Sequence, residues 1–231
     1  PREQSTAMGR SLPSTSDGII HEQKMQVIGQ EWDVYAVGGS PAQAVLHGLL
    51  EIVPHKPDLI VSGINYGENV GLGITISGTV GAAMEAASMG YPSLAVSLET
   101  DASYHLTHSD DIDFKVAGYF TAYFAKMMLD KKLFDGVDLL KVEVPRHATP
   151  QTGWQVARLS RQRYYEPFPA QRESWDKPGA ISYRHEVLAD TEPEDTDAFV
   201  LRKKHMVAVT PLNLDMTARV DLKEFEKYLR K

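Results

Sequence analysis

The chain has 231 residues, a formal net charge of −7 at pH 7 and no cysteine. This length fits one large domain, or a core with a small appendage. The acidic charge argues against a partner such as a nucleic-acid duplex, and the lack of cysteine excludes disulfides, thiolate metal sites and a cysteine nucleophile. No apolar run approaches the roughly 20 residues that cross a bilayer, so we expect no membrane partner and a cytoplasmic location.

Residues 1–20 are rich in Ser, Thr, Gly and Pro, and this composition predicts a loop. A domain rarely begins with a long loop and nothing before it. We therefore expect that residues upstream of Pro1 supply the first strand of the sheet.

Strands and helices alternate between residues 31 and 144. Near-continuous apolar strands of this kind indicate a parallel sheet covered by helices on both faces, a three-layer Rossmann-like α/β/α core. The predicted strands are Glu31–Val37, Asp58–Ser62, Ser93–Leu98 and Val137–Val144. The predicted helices are Pro41–Val53, one from the N-cap Ser77 to Gly90, and one from Ser109 or Asp110 to Leu129.

The pattern changes after Pro145. Residues 154–165 and 180–188 alternate between polar and apolar, which predicts an antiparallel hairpin or arm. A strand at Met206–Thr210 and a helix at Leu222–Leu229 follow. The pattern divides the chain into a core at 1–150, an arm at 151–190 and a C-terminal strand and helix at 191–231.

A glycine-rich loop follows the strand Asp58–Ser62. Ligands of open α/β sheets bind beyond the carboxyl ends of the strands, where this loop begins. Its glycines allow the backbone to approach a ligand closely. Asn65 and Asn69 add amide groups, and an amide oxygen is a suitable ligand for Mg²⁺ or Mn²⁺.

The helix after this loop offers a place for phosphate. It begins at Gly78-Thr79, and the free N–H groups of a helix N-terminus attract anions. The hydroxyls of Ser77 and Thr79 could add hydrogen bonds. Neither the dinucleotide motif nor the P-loop motif is present, and on these residues alone an ordinary loop with a capped helix stays open.

The segment Ser62-Gly63-Ile64-Asn65, followed by Gly67, Asn69, Gly71 and Ser77-Gly78-Thr79-Val80, resembles the signature of the SurE family. Flanking segments agree, namely Arg2-Glu3-Gln4-Ser5, Gly39-Ser40-Pro41, Gly90 to Ser97, Thr196-Asp197 and Thr210-Pro211-Leu212. The resemblance implies a metal-dependent phosphatase, with Mg²⁺ or Mn²⁺, that hydrolyses nucleoside 5'-monophosphates. It also implies a homodimer or homotetramer, with the C-terminal elements as candidates for exchange between subunits.

The resemblance also assigns site residues. Ser5 and Asn65 would hold the metal, and Asn69, Ser77, Gly78 and Thr79 would lie at the phosphate. The family's adjacent aspartate pair has no counterpart here, so the catalytic residue stays unassigned. The one adjacent pair, Asp110-Asp111, stands in a context that predicts a helix N-terminus.

Alternatives remain at this point for the function and for two groups of residues. The enzyme could prefer polyphosphate or another phosphomonoester, or the chain could be a non-catalytic oligomeric protein that binds nucleotides. His105 and His108 could bind zinc, although a solvated loop is favoured. The aromatic cluster Tyr164, Tyr165, Phe168 and Trp175 could stack on a nucleobase or pack against another subunit, and the second is favoured.

Overall fold

The computed structural model describes residues 1–3, 6–101, 104, 109, 111–185 and 188–230. The strands are β1 (Ile20–Val27), β2 (Gln30–Val37), β3 (Ile60–Tyr66), β4 (Ser93–Leu98), β5 (Leu139–Val144), β6 (Trp154–Val156), β7 (Tyr165–Phe168), β8 (Ser182–His185) and β9 (Val207–Leu212). The helices are α1 (Pro41–His47), α2 (Gly78–Ser88), α3 (Lys115–Asp130), α4 (Asp197–Arg202) and α5 (Leu222–Leu229).

A five-stranded sheet with the order β3-β4-β5-β9-β6 forms the centre of the molecule. β3, β4 and β5 are parallel, β9 runs antiparallel to β5, and β6 is parallel to β9. Phe120 and Phe124 of α3 pack on one face of this sheet, and Val80 and Ala83 of α2 pack on the other. The predicted three-layer α/β/α fold with a mostly parallel sheet is confirmed.

The predicted strand Glu31–Val37 forms, but it does not belong to the main sheet. Within the described part of the chain it pairs, as β2, only with β1, in a separate antiparallel hairpin. The turn between them contains Ile28 and Gly29, both with positive φ (51° and 74°), as tight hairpin turns require. β1 was missed because most of its residues are polar and exposed, so it carries no buried apolar face.

Two predicted helices differ at one end. α1 ends at His47 and continues as a single π turn at Gly48–Ile52. α3 begins at Lys115, so a start at Ser109 was wrong, and Asp110 lies outside the described residues. The side chain of Asp113 accepts a hydrogen bond from the Lys115 N–H at 2.9 Å and meets part of the capping requirement. α2 begins as predicted after Ser77.

The C-terminal strands pair differently from the prediction. β6 lies at the edge of the main sheet, so the antiparallel hairpin contains only β7 and β8. The short helix α4 was not predicted, and Thr196 caps it. α5 forms as predicted and none of its residues is buried. Among the described residues no helix has both the length and the apolar character of a membrane span.

Gly81 allows the loop at residues 8–10 to pack directly on α2. A Cβ at this position would lie 2.3 Å from the Gly9 carbonyl oxygen and 2.6 Å from the Arg10 nitrogen. We expect Gly81→Ala to lower the free energy of unfolding by about 1–3 kcal/mol, because backbone atoms must move. Gly118→Ala in α3 is the control, since a Cβ there meets nothing within 4 Å and alanine favours the helix. Urea unfolding of both variants measures the difference, and equal effects would contradict it.

Candidate active site

A cavity of about 540 Å³ opens at the carboxyl end of β3. β3 continues to Tyr66, so the first residues of the predicted loop are strand, and Asn65 pairs with Ser97 of the neighbouring β4. The pairing register shifts between Ser62 and Asn65. Asn65, Asn69, Ser77, Gly78 and Thr79 all line this cavity. The structure therefore brings together every predicted site residue that it describes.

The side chain of Asn65 is oriented by the backbone of the two residues that follow it. Its Nδ2 donates to the carbonyl oxygens of Tyr66 at 3.1 Å and Gly67 at 2.8 Å. These bonds occupy the nitrogen and leave the amide oxygen, the atom that a hard cation binds. The amide oxygen is therefore the part of the Asn65 side chain that remains for a ligand.

Asn69 is held at three points. Its Nδ2 donates to Ser97 Oγ at 2.8 Å, its backbone N–H donates to Glu143 Oε2 at 2.9 Å, and its carbonyl oxygen accepts from Lys141 Nζ at 2.9 Å. An asparagine fixed in this way presents its remaining amide groups to the cavity without the entropic cost of ordering them on binding.

The N-terminus of α2 forms another wall of the cavity. Ser77 Oγ accepts from the Val80 N–H at 3.1 Å, so the hydroxyl proton of Ser77 stays available to a ligand. The backbone N–H groups of Gly78 and Thr79 have no partner within the described part of the chain. Free N–H groups at the positive end of a helix dipole suit a phosphate.

The hairpin β7–β8 supplies the opposite wall. Tyr165 and Tyr183 line the cavity, and their ring centroids lie 5.5 Å apart in an edge-to-face arrangement. The Tyr165 hydroxyl donates to the Glu68 carbonyl oxygen at 3.1 Å. Burial, together with the nearby Glu68, raises the pKa of Tyr165 far above its usual value, so the phenol stays a neutral donor.

The predicted aromatic cluster is divided between different environments. Tyr164 is buried and its hydroxyl donates to Glu68 Oε1 at 2.5 Å. Trp175 is 97% exposed, and Phe168 lies beneath Arg184, with the guanidinium carbon 4.7 Å from the ring centroid. Of the four residues, only Tyr165 faces the cavity.

Several predicted residues cannot be placed. Ser5, His105, His108 and Asp110 lie outside the described residues. The described part of the chain holds no group of three or more His, Asp or Glu residues that could bind a metal. The neutral oxygen of Asn65 fits a divalent cation, but one such ligand does not hold Mg²⁺ without carboxylates.

Sequence reasoning missed three ionisable residues behind the cavity. The side chains of Lys141, Glu143 and Asp197 are fully buried. Lys141 and Glu143 alternate with apolar residues along β5, a pattern that normally indicates one solvated face. Only two short motifs in the sequence could have indicated these buried residues, namely Lys-Val-Glu within an apolar strand and the Thr-Asp that begins α4.

Comparisons with known proteins identify the family of the chain. The family model described as "Survival protein SurE" matches residues 1–166. The chain is 40% identical to the 5'-nucleotidase SurE of Thermococcus kodakarensis, over 99% of this chain and 86% of that protein. It is 39% identical to the 5'-nucleotidase SurE of Methanocella arvoryzae, over 100% of this chain and 86% of that one. The crystal structure of the SurE protein from Aquifex aeolicus has a TM-score of 0.70 and 28% identity, covering 98% of this chain and 85% of that chain. The chain therefore belongs to the SurE family.

Proposed function

We propose that the protein is a 5'-nucleotidase that uses a divalent cation to hydrolyse nucleoside 5'-monophosphates to nucleoside and phosphate. One observation carries the proposal. A single cavity holds the amide oxygen of Asn65, the free N–H groups of α2 and two tyrosine rings. These groups match the cation, the phosphate and the base of a nucleotide, respectively. The names of the two relatives, both 5'-nucleotidases, support it.

The cation would be Mg²⁺ or Mn²⁺, with Asn65 and Ser5 among its ligands. When bound, such a cation supplies positive charge to the phosphoryl oxygens. The remaining ligands must be carboxylates, since two neutral groups do not hold it. Glu3 and Glu68 line the same cavity, but the described residues contain no group of three or more His, Asp or Glu that could hold a metal.

The chain's own groups would hold the phosphate. The N–H groups of Gly78 and Thr79 and the hydroxyl of Ser77 donate to its oxygens, and Asn69 adds its amide. Because these donors are fixed before the substrate arrives, they stabilise the charge that develops on the phosphoryl oxygens without reorganising. The net charge of −7 makes such local donors necessary for binding an anion.

The nucleoside would extend toward the hairpin. Tyr165 and Tyr183 present aromatic surface at this end of the cavity, and Arg163 lies on the same wall. A base can stack on such rings whatever its identity. The position of Tyr165 favours a base contact over the subunit contact expected from sequence.

An assay of phosphate release by the complete protein tests this function. We expect turnover of AMP or GMP with added Mg²⁺ or Mn²⁺, loss of turnover with a chelator and recovery on adding the cation back. Faster hydrolysis of polyphosphate than of any nucleotide would replace the proposed substrate. Binding of AMP without phosphate release under every cation condition would contradict the enzymatic function.

The assembly and location remain predictions. A homodimer or homotetramer agrees with the exposed apolar residues of α5, which are Leu222, Phe225, Tyr228 and Leu229. Such residues are usually covered by a partner. A cytoplasmic location is expected from composition alone.

A further inference from the structure

The short loop at residues 67–71 is held mainly by side chains from distant parts of the chain. It carries Asn69 into the cavity. Gly67 N–H donates to the Leu98 carbonyl of β4 at 2.9 Å, but the polar groups of Asn69 and Gly71 turn inward to buried charged side chains. The position of this loop is therefore fixed from beneath.

Three fully buried side chains provide these contacts. Lys141 Nζ lies 2.9 Å from Asp197 Oδ2 and 3.4 Å from Glu143 Oε1. Glu143 accepts the Asn69 N–H, Lys141 donates to the Asn69 carbonyl, and Asp197 accepts the Gly71 N–H at 2.9 Å. Ionised groups form shorter and stronger hydrogen bonds than neutral ones. Both backbone polar groups of Asn69 are thus fixed by buried ionisable side chains.

Asp197 extends the connection to the hairpin wall. Its Oδ1 accepts the Ser160 N–H at 2.8 Å, while its Oδ2 accepts from Gly71. Ser160 lies just before β7, which carries Tyr165. The same carboxylate therefore ties the phosphate side of the cavity to the segment that leads to the tyrosine side.

A purely structural core would not need these charges. Replacing buried ion pairs by apolar residues of similar size is often neutral or stabilising. Here each of the three side chains forms a hydrogen bond with a backbone group of one loop that faces the cavity. Burial also raises the pKa of Glu143 to about 7. The groups that face Glu143 are Lys141, Asp197 and Glu68.

We propose that Lys141, Glu143 and Asp197 are positioning residues that hold Asn69 at the phosphate and so set the turnover rate. The inference rests on the proposed function, because it assigns these residues to the same site. They act through the loop and do not touch the substrate. Their loss should therefore lower kcat more than it raises KM, since a misplaced donor weakens stabilisation of the transition state.

The test compares three variants of the complete protein. Glu143→Leu removes the acceptor for the Asn69 N–H and keeps the volume, and Glu143→Gln keeps both volume and acceptor. We expect kcat for AMP to fall about 10–100-fold in Glu143→Leu and to recover largely in Glu143→Gln. The control is Glu85→Ala, which removes another buried carboxylate, paired with Arg10 of a different loop. It should lower stability and leave kcat unchanged.

Amide hydrogen exchange at residue 69 gives a second readout that does not depend on turnover. We expect slow exchange in the wild type, about tenfold or more faster exchange in Glu143→Leu, and slow exchange in Glu143→Gln. Fast exchange in the wild type, or a kcat in Glu143→Leu equal to that of Glu85→Ala, would overturn the proposal. If the wild type releases no phosphate, the proposed function fails, while exchange at residue 69 still decides whether the network fixes the loop.

Discussion

Replacing Asn65 with alanine is expected to lower kcat/KM for AMP by about 10²–10³-fold and to raise the Mn²⁺ concentration needed for half-maximal activity. The change removes the amide oxygen that the carbonyls of Tyr66 and Gly67 orient toward the cavity. The fold should persist, because the lost hydrogen bonds are local. Phosphate release across a Mn²⁺ titration measures both effects.

Asn213→Ala provides the control for this prediction. The Asn213 amide also donates to a carbonyl oxygen, that of Gly136 at 2.7 Å, but Asn213 does not line the cavity. It should retain wild-type activity and Mn²⁺ dependence. An Asn65→Ala protein with the Mn²⁺ dependence of the wild type would remove Asn65 from the proposed ligands.

Lys141→Met is expected to lower the free energy of unfolding by about 3–5 kcal/mol, because it leaves two buried carboxylates without their cation. Burial alone would lower the pKa of Lys141, but Asp197 and Glu143 outweigh it and hold this pKa above its usual value. The wild-type lysine is therefore charged. Chemical denaturation at constant pH measures the loss.

The stability lost in Lys141→Met should increase with pH. The pKa of Glu143 is raised by burial from 4.5 to about 7, so its contribution to stability is present below about pH 4.5 and is lost as the pH rises through 7. Removing Lys141 raises the pKa of Glu143 further. The variant should therefore lose more stability relative to the wild type at pH 8 than at pH 6. Lys126→Met, which breaks an exposed pair with Asp130 at 2.7 Å, should change little at either pH. Equal losses in the two variants would contradict the buried-charge explanation.

The fold was predictable where burial and helix caps leave a signal in the sequence. The apolar strand Ser93–Leu98 and the helix capped by Ser77 both form at the predicted place. The hairpin β1–β2 could not be assigned in this way, because its polar residues are held by pairing alone. The start of α3 was misplaced because several acidic residues precede it and any of them could cap a helix.

The candidate site was likewise predictable only where its residues leave a local signal in the sequence. Asn65 and Asn69 were predicted because they follow a strand in a glycine-rich loop, and both line the cavity. Lys141 and Glu143 were not, because a charge in a strand usually indicates solvent exposure. Their burial depends on α4 and the loop covering them, and Asp197 lies more than fifty residues further along the chain. Local patterns do not record such long-range contacts.

The buried support of Asn69 also affects how this site could be moved into another protein. A graft of residues 62–79 onto a different α/β scaffold would carry Asn65, Asn69 and the N-terminus of α2, which line the cavity. It would leave behind the lysine and the two carboxylates that shape the loop from below, and the transplanted segment would have backbone N–H and C=O groups without partners. A designer would therefore need to transfer matching positions of β5 and the first residue of α4 together with the motif.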